Sequence, residues 1–259
     1  IMPSLVGSEM CIRDRGRMHA ATVGGEGDFL ALVRRGPSGT EGGDSMRDAA
    51  RRAVDSLARD AELLEVTVPE SVADALQTSS TLFDDGDHRA FSPSDVGPEN
   101  ILLNEDGVQF MDYEWGGFRD ATLDIAYALV TFTSQLAPSG VARATDLEVS
   151  MVDAWRSEVM GIWPALGHER EMQHKVLIAR LLWVWLSTVW MLPGEVPVSS
   201  DDVSDGDGYA HDWALHTNDP RVIVARWTDL AAAAGRGGHR DIETFSAAVG
   251  LALQRAWLA

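Results

Sequence analysis

Three oxygen-bearing side chains, those of Asp95, Asn100 and Asp112, lie close together in the sequence around a predicted β-hairpin. Asn100 directly precedes the first predicted strand and Asp112 directly follows the second, so antiparallel pairing would bring their side chains together. Asp95 precedes both, in a loop rich in proline and glycine. Magnesium takes oxygen ligands and is commonly held by one or two carboxylates together with substrate phosphates. The spacing therefore predicts a magnesium site at the open end of the hairpin.

The hairpin itself is predicted from two short apolar runs, residues 101–103 and 108–111, on either side of a polar turn. Gly107, the last residue of the turn, can take the positive φ that such turns require. The remaining chain has mostly the hydrophobic spacing of helices. We expect helical pieces over residues 16–35, and helices near 45–61, 69–82, 122–133, 147–163, 171–192, 221–234 and 242–257, with a long surface loop at 193–220. The fold class is therefore α+β, mostly helical with a single β-hairpin at the metal site.

One apolar run, residues 176–192, could be either a membrane span or a buried helix. Arg180 interrupts it, so we interpret it as a buried core helix. Trp183, Trp185 and Trp190 could line a substrate pocket, but aromatic residues in an apolar helix more often belong to the core. The acidic loop at 199–212 could contact a cationic substrate, although a solvated loop is the simpler interpretation.

The charge and the cysteine content of the sequence argue against several classes of function. The 259 residues carry a formal charge of -19, and Lys175 is the only lysine. So acidic a surface repels phosphate backbones, which argues against a nucleic-acid partner, and it would attract a cationic small molecule; solubility is the favoured explanation for it. The single Cys11 excludes a disulfide framework and a cysteine-rich zinc site. The first residues lack the basic and apolar regions of a secretory signal, so we expect a cytoplasmic protein with no membrane partner.

Residues 1–15 resemble the conceptual translation of a sequencing-library adapter. We therefore expect this segment to be non-native and exclude it from the reasoning about the fold, as one would a fusion scar. Residues 16–259 are then expected to form one lobe.

The order of the site residues also carries a resemblance. An Asp, four residues, an Asn, and a hairpin ending in Asp resemble the catalytic and metal-binding loops of protein-kinase-like phosphotransferases. The continuation, Asp-x-Glu followed by Gly-Gly-Phe-Arg-Asp and Leu-Asp-Ile-Ala, is similar to the aminoglycoside phosphotransferase and choline kinase branch. Residues 16–21, Gly-Arg-Met-His-Ala-Ala, are similar to the helix that opens the C-terminal lobe in that branch. The resemblance covers residues 16 to about 130 and implies a protein-kinase-like C-terminal lobe.

The resemblance implies a role for each site residue. Asp95 would be the catalytic base for a small-molecule hydroxyl, and Asn100 and Asp112 would hold Mg²⁺ on the phosphates of ATP or GTP. Asp124 would brace the catalytic loop, and Glu114 would lie near the metal. The implied reaction transfers the γ-phosphoryl group to a hydroxyl of an aminoglycoside-type or similar acceptor.

Two departures from the family pattern matter. Pro93 and Ser94 stand where the family usually has His-Gly, which affects the loop more than the base. The glycine-rich loop and following lysine that grip the nucleotide are absent, since Lys175 follows the catalytic loop and Gly24–Gly27 lacks a strand pair. We therefore expect that the N-terminal lobe is missing and that this chain alone is inactive.

Each site residue also has a simpler explanation. Asp95 could serve the turn, Asn100 could cap a strand, Asp124 could favour the positive end of a helix, and Glu114 could be a solvated acid. Two alternative functions follow: a non-catalytic kinase-like binding or regulatory module, or a helical scaffold unrelated to kinases.

Overall fold

The computed structural model describes residues 5–35, 45–95, 97–105, 107–113, 116–134, 143–192 and 213–258. Within these ranges the chain is mostly helical, with short antiparallel strands between the fifth and sixth helices. The elements are α1 Leu5–Thr22, α2 Glu26–Val33, α3 Ser45–Asp55, α4 Leu57–Leu63, α5 Glu70–Thr81, β1 Arg89–Ser92, β2 Ile101–Asn104, β3 Gly107–Phe110, β4 Gly117–Asp120, α6 Thr122–Ser134, α7 Ala144–Val159, α8 Glu169–Val189, α9 Pro220–Gly237 and α10 Arg240–Trp257.

Helix α8 lies at the centre of the core. Every residue from Val176 to Val189 is buried, because α3, α5, α6 and α9 pack around it. A helix that is apolar all round has to be covered in this way or cross a membrane. No helix within the described ranges is long and apolar enough to cross a membrane. The prediction of a buried core helix is confirmed.

The tryptophans of α8 contribute to this core. Trp183 and Trp185 are fully buried, and their indole N–H groups donate to the backbone oxygens of Leu123 (2.9 Å) and Ala53 (2.7 Å). Trp190, at the end of the helix, is half-buried. The core interpretation is confirmed for Trp183 and Trp185. The acidic loop at 199–212 lies outside the described residues.

The predicted hairpin is confirmed. β2 pairs with β3 in antiparallel register, with Ile101 opposite Phe110 and Asn104 opposite Gly107. Gly107 has φ +111°, a value that residues with a side chain rarely adopt. The expected single hairpin is nevertheless incomplete as a description of the β-structure.

A second two-stranded sheet pairs β1 with β4, from Arg89 opposite Asp120 to Ser92 opposite Gly117. The prediction of one hairpin therefore missed this second sheet, although the predicted hairpin is present. The two strands are only four residues long and the whole β2–β3 hairpin separates them, so no local turn signal links them. This sheet holds together the two ends of the segment that contains the candidate site.

Helix α1 includes most of the adapter-like segment. Cys11, Ile12 and Arg15 are buried there, and the helix packs mainly against α7. The non-native origin of residues 1–15 stays a prediction. The predicted helix near 45–61 is divided into α3 and α4, which is a finer division than the hydrophobic spacing indicated.

Helix α10 offers a matched test of the packing. Leu253 is fully buried, whereas Leu251, two residues earlier on the same helix, is 58% exposed. We expect Leu253→Ala to lower the free energy of unfolding by about 2–5 kcal/mol, because it leaves a cavity in the core. Leu251→Ala should change it by less than about 1 kcal/mol. Urea unfolding followed by far-UV circular dichroism measures both, and equal losses would contradict the described packing.

Candidate functional site

The hairpin determines where Asn100 and Asp112 lie. Asn100 ends a short 3-10 turn, Pro98–Asn100, and its carbonyl oxygen accepts a hydrogen bond of 2.9 Å from the N–H of Met111. This bond extends the β2–β3 pairing, so Asp112 leaves the hairpin beside the point where Asn100 enters it. Asp112 is exposed and has φ +60°, where the backbone turns away from the strand.

The side-chain amide of Asn100 is oriented by Asp95. Its Nδ2 lies 2.9 Å from the backbone oxygen of Asp95 and 3.1 Å from the carboxylate Oδ2. Both partners are acceptors, so the NH₂ end of the amide faces Asp95. The amide oxygen, Oδ1, is then the atom of Asn100 that can act as a metal ligand.

Asp95 itself is almost completely buried, at 4% exposure. Its Oδ1 accepts hydrogen bonds from the Tyr127 hydroxyl and from the Ala214 N–H at 3.2 Å. Burial raises the pKa of Asp95 to about 6, against the opposing effect of these hydrogen bonds. The negative charges of Glu99 and Asp112 add to the rise. A carboxyl group whose pKa is close to neutral can exchange a proton under physiological conditions.

Asp95 and Asn100 are thus in direct contact, and Asp112 lies near enough for its charge to act on Asp95. In the described part of the chain, no three His, Cys, Asp or Glu side chains form a group that could hold a metal by themselves. A site made of Asn100 Oδ1 and the Asp112 carboxylate is a sparse one. Two such ligands would suit an ion such as Mg²⁺, which keeps several waters and takes further ligands from substrate phosphates, so the magnesium site stays a prediction.

Asp124 connects the loop before Asp95 to the helices. Its Oδ1 accepts a hydrogen bond of 2.5 Å from the Ser92 hydroxyl, whose oxygen in turn accepts one of 3.0 Å from the N–H of Ser94. Ser94 has φ +73°, so the backbone directly before Asp95 is held in a conformation that is unusual for serine. The carboxylate of Asp124 therefore acts on the loop through Ser92.

A buried histidine completes this arrangement. Trp155 Nε1 donates to Nδ1 of His19 at 3.0 Å, and His19 Nε2 lies 3.0 Å from Asp124 Oδ2. An indole nitrogen can only donate, so Nδ1 is the acceptor and Nε2 carries the proton that His19 donates to Asp124. Burial raises the pKa of Asp124, but the hydrogen bonds from His19 and Ser92 and the positive charge of Arg15 outweigh it and lower the pKa overall.

Sequence reasoning did not single out Ser92, His19 or Tyr127. His19 lies in the stretch 16–21 that carries part of the resemblance, so that resemblance was a usable signal. Ser92 and Tyr127 had no such signal, because each lies in an ordinary-looking strand or helix. Glu114, which was expected near the metal, lies outside the described residues.

The only lysine is not at this site. Lys175 lies on α8, and its Nζ is 3.0 Å from Asp87 Oδ2. Gly24 and Gly25 form a turn between the two helices α1 and α2, not a loop between strands. Neither position provides a nucleotide-gripping element near Asp95.

Comparisons with known proteins do not assign the chain to a family. No family model matches it, and no curated protein matches it. The candidate site therefore rests on the contacts of this chain and on the order of its residues.

The burial of Asp95 has a measurable cost. The pKa of Asp95 is about 6 in the folded chain, above the ordinary 3.8, so ionisation destabilises the fold as pH rises from about 4 to 6. We expect Asp95→Asn to be more stable than the parent at pH 7.5, by up to about 3 kcal/mol, and the difference to shrink towards pH 4. Urea unfolding across this pH range measures it.

Asp112→Asn is the control for this measurement, because Asp112 is exposed and its replacement removes the same charge. It should give little difference in stability at either pH. A stability gain for Asp95→Asn that does not depend on pH would contradict the burial argument.

Proposed function

We propose that this chain is the metal- and acceptor-binding part of a small-molecule phosphotransferase of the protein-kinase-like type, similar to aminoglycoside phosphotransferases and choline kinases. The reaction would transfer the γ-phosphoryl group of ATP or GTP to a hydroxyl of a small molecule. The observation that carries the proposal is the contact between Asn100 and Asp95, which uses the NH₂ end of the Asn100 amide and leaves its oxygen as the candidate metal ligand.

In this proposal each residue has one task. Asp95 accepts the proton of the acceptor hydroxyl, for which a pKa of about 6 is suitable because the carboxylate predominates at neutral pH. Asn100 Oδ1 and the carboxylate of Asp112 would hold Mg²⁺, which would neutralise charge on the nucleotide phosphates. Asp124 keeps the loop before Asp95 in place through Ser92.

Phosphoryl transfer also requires groups that grip the nucleotide, and the described residues near Asp95 provide none. The single lysine of the sequence pairs with Asp87, away from the candidate site. The proposed reaction therefore requires a glycine-rich loop and a lysine that the described residues near Asp95 do not supply. Catalysis of this kind depends on positioning and electrostatics, so the chain alone should be inactive.

The acceptor is a small hydroxylated molecule. The net charge of -19 favours a cationic acceptor, such as an amino sugar, because long-range attraction raises its local concentration. Nucleic acid is disfavoured by the same charge.

A non-catalytic binding or regulatory module is the second candidate. It is favoured by one observation: both carboxylate oxygens of Asp95 are occupied by hydrogen-bond donors of the protein. Such a module could bind metal and nucleotide through Asp112 and have no need of Asp95 as a base.

The metal site can be tested on the chain as it stands, with Mn²⁺ as a paramagnetic probe. Asp112→Ala should weaken Mn²⁺ binding by about tenfold or more, because it removes the carboxylate of a sparse site. Water proton relaxation measures the affinity. Glu105→Ala is the matched control, since Glu105 is an exposed carboxylate at the other end of the same hairpin. Equal effects of the two changes would show that the hairpin binds Mn²⁺ only through its general charge.

The base can be tested in a protein that includes a nucleotide-gripping segment. Asp95→Ala should lower turnover about a hundredfold or more and leave the magnesium-dependent nucleotide affinity largely unchanged. Asp112→Ala should remove that affinity. Unchanged turnover in Asp95→Ala would exclude Asp95 as the base. Nucleotide binding through Asp112 without turnover, over a broad panel of acceptors, would favour the regulatory module.

A further inference from the structure

A short segment, Trp213–Leu215, lies over the candidate base and is separated from the start of α9 by four residues. The Ala214 N–H is 3.2 Å from Oδ1 and 3.3 Å from Oδ2 of Asp95, so it is shared between both oxygens. The next N–H, that of Leu215, donates to the Tyr127 hydroxyl at 3.0 Å. Trp213 and Leu215 are both buried, at 4% and 0% exposure. The segment therefore closes Asp95 off from solvent.

Two features outside the segment keep it in this position. Arg226, a buried residue of α9, donates from Nη1 to the backbone oxygen of Leu215 at 2.6 Å and from Nη2 to that of Ala214 at 3.5 Å. Gly97 lies beneath the segment, and a Cβ atom at that position would collide with the Cβ of Ala214. The close approach thus depends on the arginine from one side and on the missing side chain from the other.

The donors around Asp95 differ in origin. Asn100 comes from the start of the hairpin and Tyr127 from α6, and both would remain beside Asp95 if the segment moved. The Ala214 N–H is the donor among these three that belongs to the covering segment. A catalytic base needs one oxygen within hydrogen-bond reach of the acceptor hydroxyl. In the structure, the Ala214 N–H donates to the Asp95 oxygens to which such a hydroxyl would donate.

We propose that the Ala214 N–H occupies the position that the acceptor hydroxyl takes on Asp95, so that Trp213–Leu215 must leave before an acceptor can bind. This inference rests on the proposed function, because it takes Asp95 as the base. The segment is then an autoinhibitory contact, and the acceptor site lies on the face of Asp95 that it covers. To displace the Ala214 N–H, the hydroxyl of the small molecule would have to donate a hydrogen bond to Asp95 that is at least as strong.

The cover can be tested by the reactivity of carboxyl groups, which needs neither acceptor nor nucleotide. The folded chain is treated with a water-soluble carbodiimide and glycine ethyl ester, and labelling at each carboxylate is followed by mass spectrometry. Asp95 in the parent should label at least about tenfold more slowly than exposed Asp112. Arg226→Met, which keeps the apolar length but removes the hydrogen bonds to the segment, should raise labelling of Asp95 about tenfold.

Arg221→Met is the matched control, because Arg221 is an exposed arginine of the same helix. It should leave the labelling of Asp95 unchanged. Gly97→Ala is a second way to lift the segment, by collision with Ala214, and it should also expose Asp95 if Arg226→Met fails to fold. Far-UV circular dichroism verifies that each variant is folded.

The cover is wrong if Asp95 in the parent labels as fast as Asp112, or if folded Arg226→Met and Gly97→Ala leave Asp95 protected. These results do not depend on the proposed activity. If both variants expose Asp95 but Asp112→Ala does not change Mn²⁺ binding, the covering segment is supported and the metal site is rejected.

Discussion

The buried carboxylate of Asp124 joins three parts of the chain that are distant in sequence. It lies in the first turn of α6 and accepts hydrogen bonds from His19 on α1 and from Ser92 at the end of β1. Burying a charged carboxylate costs free energy unless it is hydrogen-bonded, and both oxygens of Asp124 accept hydrogen bonds. The loop that carries Asp95 begins directly after Ser92, and Tyr127 follows Asp124 by one helical turn. The position of the candidate base therefore depends on this one satisfied charge.

Asp95 is the opposite case. It is also buried, but its donors do not compensate for the loss of water, since burial raises its pKa to about 6. Ser92 and Ser94 thus lie between a carboxylate that is stabilised in its charged form, Asp124, and one that is destabilised, Asp95. Groups whose protonation is poised near neutrality are concentrated at functional sites. The contrast supports assigning the structural role to Asp124 and the chemical role to Asp95.

The parts of this arrangement that are local in sequence could be predicted, and the non-local parts could not. The β2–β3 hairpin has its own turn signal at Gly107, and the helices from α5 onwards have their own hydrophobic spacing, so their positions agree with the sequence to within a few residues. Helix α1 begins eleven residues before the expected start at residue 16, because residues 1–15 were excluded from the reasoning. The pairing of β1 with β4 has no such signal because a whole hairpin separates the strands. The contacts of Tyr127 and Ala214 with Asp95 depend on how α6 and the segment Trp213–Leu215 pack, and no spacing in the sequence indicates that packing. The order Asp95, Asn100, Asp112 pointed to the site, but not to its cover.

The β1–β4 pairing also affects how the hairpin can change. Because β1 and β4 are hydrogen-bonded to each other, the two ends of the stretch between Ser92 and Gly117 are held together. Their positions therefore do not depend on how long that stretch is. Two further contacts hold this stretch in place. Phe110 lies against the guanidinium group of Arg15, 5.4 Å from the ring centre, and Ile101 is buried. The described residues next to the far tip of this stretch, exposed Glu105 and half-buried Gly107, have neither constraint. Insertions at that tip would lengthen the hairpin without shifting Asn100 or Asp112, so its length can vary there at little cost to the candidate site or to the rest of the fold.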